Sequence, residues 1–299
     1  MPIPEPLLDL VLAARSAALP GGLHVLRAMP QRQRRIVGPF VFVDQMGPSP
    51  CAPGGEVTVL PHPHIGLSTV TYLFEGEGLH RDSLGSVQPI RPAEVNWMTA
   101  GRGIVHSERM RPGASGRIFG MQLWVALPLR FEESPPTFEH YDAGSTATFE
   151  DRGVAVRVIA GSLLGARSAV RTHSPLFYAD ANWSADAVLQ VPPEYEERAA
   201  FVVEGSATIA DTTLRQGEIA FFRRGAEVLL RAEEPARLLL FGGEPLDGPR
   251  YISWNFVSSS KERLRAAASD WRDQRFARIP GETSYIPLPE DGTSPVNYP

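Results

Sequence analysis

The chain of 299 residues holds a single cysteine, Cys51, and a single lysine, Lys261. One cysteine excludes an intrachain disulfide and any site built from several thiolates, so a metal here would have to be held by nitrogen and oxygen. No apolar run approaches the length that spans a bilayer. Basic residues, 29 and almost all arginine, are outnumbered by 34 acidic ones, for a formal net charge of −5 at pH 7. No global attraction to nucleic acid or anionic lipid is expected from that balance. The run Gln31-Arg-Gln-Arg-Arg35 reads as a solvated turn whose arginines pair locally, with a local anion site as the alternative. A basic leader is missing from residues 1–18, and their apolar stretch is short and broken by Asp9, unlike a secretory signal. A cytoplasmic location is expected.

What is present is an ordinary globular composition, 43% hydrophobic and 21% charged, over a length that suits two domains. The 28 prolines and 27 glycines are spread along the chain. Between them lie short runs rich in Val, Phe, Tyr, Leu and Thr, which predict strands at 37–43, 68–74, 95–99, 119–127, 154–160, 201–203, 207–209, 219–222 and 237–241. Helices are predicted only near the ends. Residues 7–18 form a short one, stopped by Pro20-Gly-Gly22, and residues 260–275 a stronger one, with Leu264, Ala268, Trp271 and Phe276 at roughly helical spacing. From Ile279 onward, repeated Pro and Gly predict an extended, partly mobile arm.

Residues 130–151 carry Pro135-Pro136 and Gly144 without sustained periodicity and are the best candidate for a domain boundary. Tyr72-Leu-Phe-Glu-Gly76 is echoed by Phe201-Val-Val-Glu-Gly205, a weak internal repeat that predicts two copies of one β architecture. Closed barrels would leave such meanders without open edges. The expected division is 1–140, 141–256, and 257–299 for the helix and tail.

His62 and His64 stand two apart, so on a strand both imidazoles leave the same face. Pro63 between them suits an edge or bulged strand and stiffens the backbone. After the turn Ala100-Gly-Arg-Gly103, His106 and Glu108 repeat the i, i+2 spacing. If both strands face one interior, four ligands converge, a set suited to Fe(II), Mn, Ni, Co, Cu or Zn rather than Ca or Mg. Spacing alone leaves open a chance histidine doublet and a surface carboxylate. His24, His80, His140 and His173 are isolated from one another and are read as surface or hydrogen-bonded residues. Met98, Phe119, Met121 and Trp124 neighbour the ligand strands; parity turns only alternate ones inward, and core packing is the simpler role for each. Glu194-Tyr-Glu196, in the second half, is read as a solvated face.

The stretches Pro61-His-Pro-His-Ile-Gly-Leu-Ser-Thr-Val-Thr-Tyr72, His80-Arg-Asp-Ser-Leu-Gly85 and Trp97-Met-Thr-Ala-Gly-Arg-Gly-Ile-Val-His-Ser-Glu108, with Val37-Gly-Pro-Phe-Val-Phe-Val-Asp44 and Gly120-Met-Gln-Leu-Trp124, closely resemble the pirin family of bicupins. The close match runs over about residues 34–129, and a looser one extends to about residue 276. The resemblance implies an all-β fold of two tandem cupin (jelly-roll-like) barrels with a C-terminal helix. It places the family's three histidines and glutamate on His62, His64, His106 and Glu108, and leaves the second barrel metal-free. One departure lies before Val95, where the family has Pro-Gly-Asp and this chain has Pro92-Ala-Glu94, a change expected to alter the turn.

Two functions follow from the resemblance. One is a quercetin 2,3-dioxygenase-like enzyme, with Fe(II) as the expected metal, a flavonol-like aromatic substrate and O2, and Glu108 as both ligand and catalytic base. The other is an iron-binding regulatory protein that offers a redox-sensitive surface to a protein partner. A monomer is expected in either case.

Overall fold

The computed structural model describes residues 6–18, 23–50, 55–289 and 296–298. Cys51 and the predicted helix stop at 20–22 lie outside them. Each of the nine apolar runs falls on a strand, with 95–99 matching Val95–Thr99. The run at 37–43 enters its strand late, at Phe40, because Gly38, at φ 52°, turns the chain so that Val37 and Phe40 bridge to one another. Among the described residues one α-helix forms, Lys261–Arg272.

By internal contacts the chain forms two compact units. The unit of residues 1–15, 28–40 and 144–245 has a long antiparallel sheet in the order Leu8–Ala13, Glu218–Phe222, Glu197–Glu204, Ala236–Gly243, Leu176–Trp183, Val154–Leu163, Ala147–Asp151. A second sheet runs Ala187–Val191, Val228–Ala232, Ser206–Ile209, Thr212–Arg215. Alternate residues of both sheets, among them Val156, Val158, Leu189, Val202, Leu230 and Leu240, make one aliphatic core. Glu194 and Glu196 are exposed outside it, the latter paired with Arg224.

The unit of residues 16–27, 41–143 and 246–299 has a four-stranded sheet in the order Val57–His64, Ile104–Arg111, Glu77–Asp82, Val87–Ile90. Its larger sheet runs Thr137–Tyr141, Val95–Thr99, Leu67–Glu75, Arg117–Ala126, Phe40–Pro50 and continues to His24–Met29 and Arg15–Ala18. The helix starts at Ser260, whose hydroxyl accepts from the Arg263 amide. Its buried face, Leu264, Ala267, Ala268 and Trp271, packs on Ile65, Val105 and Phe256. In the turn before Val95 the departure from the family pattern is absorbed locally: Ala93 is held at φ 68°, a conformation in which glycine is at ease and alanine costs about 1 kcal/mol.

Two expectations are corrected. Residues 7–18 are not helical but form the strands Leu8–Ala13 and Arg15–Ala18. The leucines favour a helix locally, yet a piece this short is marginal on its own. Pairing with Glu218–Phe222, where it becomes the edge strand of the sheet, satisfies one side of its backbone, while Leu7, Leu8 and Val11 pack against the hydrophobic core. The tail is extended over residues 283–289, as expected, but its described residues are docked on the fold: Val296–Tyr298 pairs with Arg250–Ser253, and Ile279 is buried.

Candidate metal centre

His62 and His64 end the strand Val57–His64, which lies at the edge of its sheet and, among the described residues, pairs only with the strand Ile104–Arg111. Pro63, lacking an amide hydrogen, is tolerated there. His106 pairs directly with His62, and the register then shifts before Glu108, which sits opposite Val59 on one side and His80 on the other. Beyond His64 the chain turns at Gly66, φ 67°, where a Cβ would lie 1.9 Å from the Val257 carbonyl oxygen. Only glycine permits that approach. It lets the Val257 amide donate to Ile65 and brings the neighbouring Asn255 carbonyl to His64.

The three histidines converge, with one ligand nitrogen of each lying within 4.8 Å of the others. His64 Nε2 is 3.1 Å from His106 Nε2. His62 Nδ1 donates to the Leu60 carbonyl at 2.9 Å and His64 Nδ1 to the Asn255 carbonyl at 3.1 Å. These two carbonyls fix the tautomer and leave both Nε2 atoms unprotonated, that of His64 facing His106 Nε2. Burial drives all three imidazoles toward the neutral form: His62 titrates near 4, and His64 and His106 well below the ordinary 6.5, lowered further by the neighbouring rings. His106 Nδ1 is buried and has no hydrogen-bond partner among the described residues. Neutral, buried, closely opposed nitrogens with oriented lone pairs fit a divalent transition metal, which would take the place of protons that burial disfavours.

Glu108 does not belong to that mutual set of nitrogens. Its carboxylate lies 3.5 Å from Thr71 Oγ1, whose single proton is taken by Gln122 Oε1 at 2.8 Å. Burial raises Glu108 to about 7, against a lowering contact from Thr71. The group is thus close to half ionised at neutral pH.

The surrounding wall contains residues that sequence reasoning left unassigned. Trp124 stands edge-on to His64 at 5.2 Å and stacks on Phe42 at 4.2 Å. Phe42 is covered by Arg27, which is held in turn by both oxygens of Asp44. Gln122 and Trp124, two apart, share the inward parity, whereas Met98, Phe119 and Met121 are buried in the core. His80, isolated in sequence, is brought beside His106 by strand pairing, with ring centroids 5.4 Å apart. It is bonded through Nε2 to Asp82 and stacked on Phe138. His140 is bonded to Asn96, and His24 is exposed.

A pH dependence follows. Of the three histidines and Glu108, Glu108 alone is raised toward 7, whereas His62 titrates near 4 and burial holds His64 and His106 well below 6.5. With Glu108 as a fourth ligand, the proton that competes with a cation just below pH 7 is its own. Apparent affinity for a divalent cation should therefore fall about tenfold per pH unit between 7 and 5. Three histidines at their ordinary value would lose up to about a thousandfold per unit below 6.5. Chelator-competition titrations at several pH values distinguish the two slopes.

Family models agree with this picture in both halves: the pirin model matches residues 22–125 and the pirin C-terminal cupin model residues 178–277. A pirin-like protein of Caulobacter vibrioides is 46% identical over 291 residues, 95% of this chain and 100% of that one. The crystal structure of a quercetin 2,3-dioxygenase from Acinetobacter baumannii superposes with a TM-score of 0.86 at 34% identity, covering 94% of each chain. A bacterial pirin from Escherichia coli, solved in complex with nickel(II), shares the fold with a TM-score of 0.61 at 18% identity over 79% of this chain and all of that one. The chain is therefore a member of the pirin family, built from two cupin domains.

Proposed function

We propose that this chain is a metal-dependent dioxygenase that opens flavonol-like substrates such as quercetin with O2. The observation that carries the reading is the convergence of three neutral imidazoles from two paired strands, with a buried carboxyl group raised to about 7 on the strand of His106. We assign His62, His64 and His106 as metal ligands, and Glu108 as the fourth ligand and the catalytic base. Fe(II) is the metal we favour, with Mn, Ni, Co, Cu and Zn as alternatives, and it would supply Lewis acidity and electron exchange with dioxygen. The similarity to a protein solved as a quercetin 2,3-dioxygenase supports the substrate class.

The chain's own residues have distinct tasks. Glu108, whose carboxyl burial holds above the ordinary carboxylate range, is placed to take the proton of an acidic enol or phenol hydroxyl. Thr71 and Gln122 hold the polar side of the interior, and Trp124 with Phe42 forms a flat apolar wall for an aromatic ring. The carbonyls of Leu60 and Asn255 keep His62 and His64 from turning away.

Metal-loaded protein, incubated in air with quercetin, should consume the flavonol absorbance and release carbon monoxide in equal amounts. Absence of turnover with every metal of the series overturns the enzymatic reading. One observation favours a second: His64 and His106 are each only 1% exposed. A site so enclosed suits an iron-binding regulatory protein, whose partner binding rather than turnover would follow the metal's oxidation state.

A further inference from the structure

The strands that carry the site histidines have an outer face, and one short segment of the tail grips all of them. Ser107 lies between His106 and Glu108, and Arg109 follows Glu108, so both side chains leave the face opposite the ligands. Arg81, between His80 and Asp82, does the same on the neighbouring strand. All three meet one carboxylate, that of Glu282, which is 7% exposed. Ser107 Oγ donates to it at 2.8 Å, Arg109 donates through Nη1 and Nη2 at 3.1 Å each, and Arg81 Nη1 lies at 3.3 Å. The same segment reaches the third strand: the Ile286 amide donates at 2.9 Å to the carbonyl of Pro61, the residue before His62. Arg81 Nη2 also donates to the Pro280 carbonyl, and Trp271 Nε1 to that of Ile286, each at 2.9 Å.

The strap is packed at both ends, with Ile279 buried in the core under the helix and Leu288 against it. Between them it borders a cavity of about 260 Å³, lined by Pro61, Val105, Trp271, Phe276, Glu282 and Tyr285 among others. Over that stretch its strongest polar contacts are the charge-assisted bonds of Glu282. We propose that Glu282 is a positioning residue for the metal centre: from the outer face it ties the strand of His106 to that of His80, while its segment ties down the strand of His62, so that the ligands are held in register. The proposal rests on the reading of the three histidines as metal ligands. Ligand sites tolerate displacements of only about 0.5 Å, and loss of outer-shell partners typically costs 10–100-fold in metal affinity.

The test uses the full chain and cobalt(II), titrated by its visible absorption and by chelator competition. Glu282→Ala should weaken cobalt binding about 10–100-fold and shift the cobalt absorption bands. Glu282→Asp should recover part of both, and the melting temperature of the metal-free protein reports folding separately. Combination with Ser107→Ala should add less than the sum of the single effects, since the two groups share one bond. If Glu282→Ala lowers only the melting temperature and leaves affinity and bands unchanged, the residue is merely structural and the proposal is overturned. Should the alanine variant fail to fold, Glu282→Gln, which keeps the shape and removes the charge, is judged by the same two readouts. Wild-type protein that takes up no cobalt, or a His106→Ala variant that takes it up undiminished, removes the ligand reading and the proposal with it.

Discussion

The His106→Ala protein should lose divalent-metal affinity by more than about 100-fold, the upper end of what an outer-shell change costs. His106 is the hub of the set: its ring lies 4.4 Å from that of His62 and 5.0 Å from that of His64, and its Nε2 is in hydrogen-bond range of His64. Its removal takes one of three donors and leaves the lone pair of His64 facing an empty space. Alanine at His24, which is exposed, is the matched control and should bind metal as the parent does. Flavonol turnover should vanish with the metal in the first variant and persist in the second. Equilibrium dialysis with metal analysis measures both proteins, and equal metal content in the two would contradict the assignment.

The second large effect is expected at Glu108. Glutamine there keeps the shape and a carbonyl oxygen but cannot take up a proton, so Glu108→Gln should retain measurable metal while turnover falls by about 100-fold or more. The pH profile gives the sign. A base must be ionised to act; burial raises the metal-free Glu108 to about 7 and a bound cation lowers it from there, so kcat/KM of the loaded wild type should climb with pH over an acidic limb that lies below 7. That acidic limb should be missing from the variant's residual activity. A variant with full turnover and an unchanged profile removes Glu108 from the chemistry.

Local signals made most of the fold legible. Short apolar runs between prolines and glycines named nine strands, the spacing of Leu264, Ala268 and Trp271 marked the helix, and Pro63, expected on an edge or bulged strand, fell on an edge. The histidine pairs were legible for the same reason, because i, i+2 on a strand is a statement about one face. Long-range geometry escaped local reading. The strand Leu8–Ala13 is set by a partner two hundred residues away in sequence, which outweighs the helical preference of its leucines. The carbonyl of Asn255 reaches His64 over 191 positions, and Glu282 reaches Ser107 over 175. No local pattern could announce either contact. His80 looked isolated because its neighbour His106 becomes adjacent only through strand pairing. Gly66 was visible within the motif, but its task, making room for the Val257 carbonyl, appears only once the strands are assembled.

Anomalous diffraction from crystals of the metal-loaded protein, recorded on both sides of the metal's absorption edge, goes most directly to the cation site. A single strong peak per chain, among the Nε2 atoms of residues 62, 64 and 106, is the expected result. A peak elsewhere with that cluster vacant, or none at full loading, would contradict it.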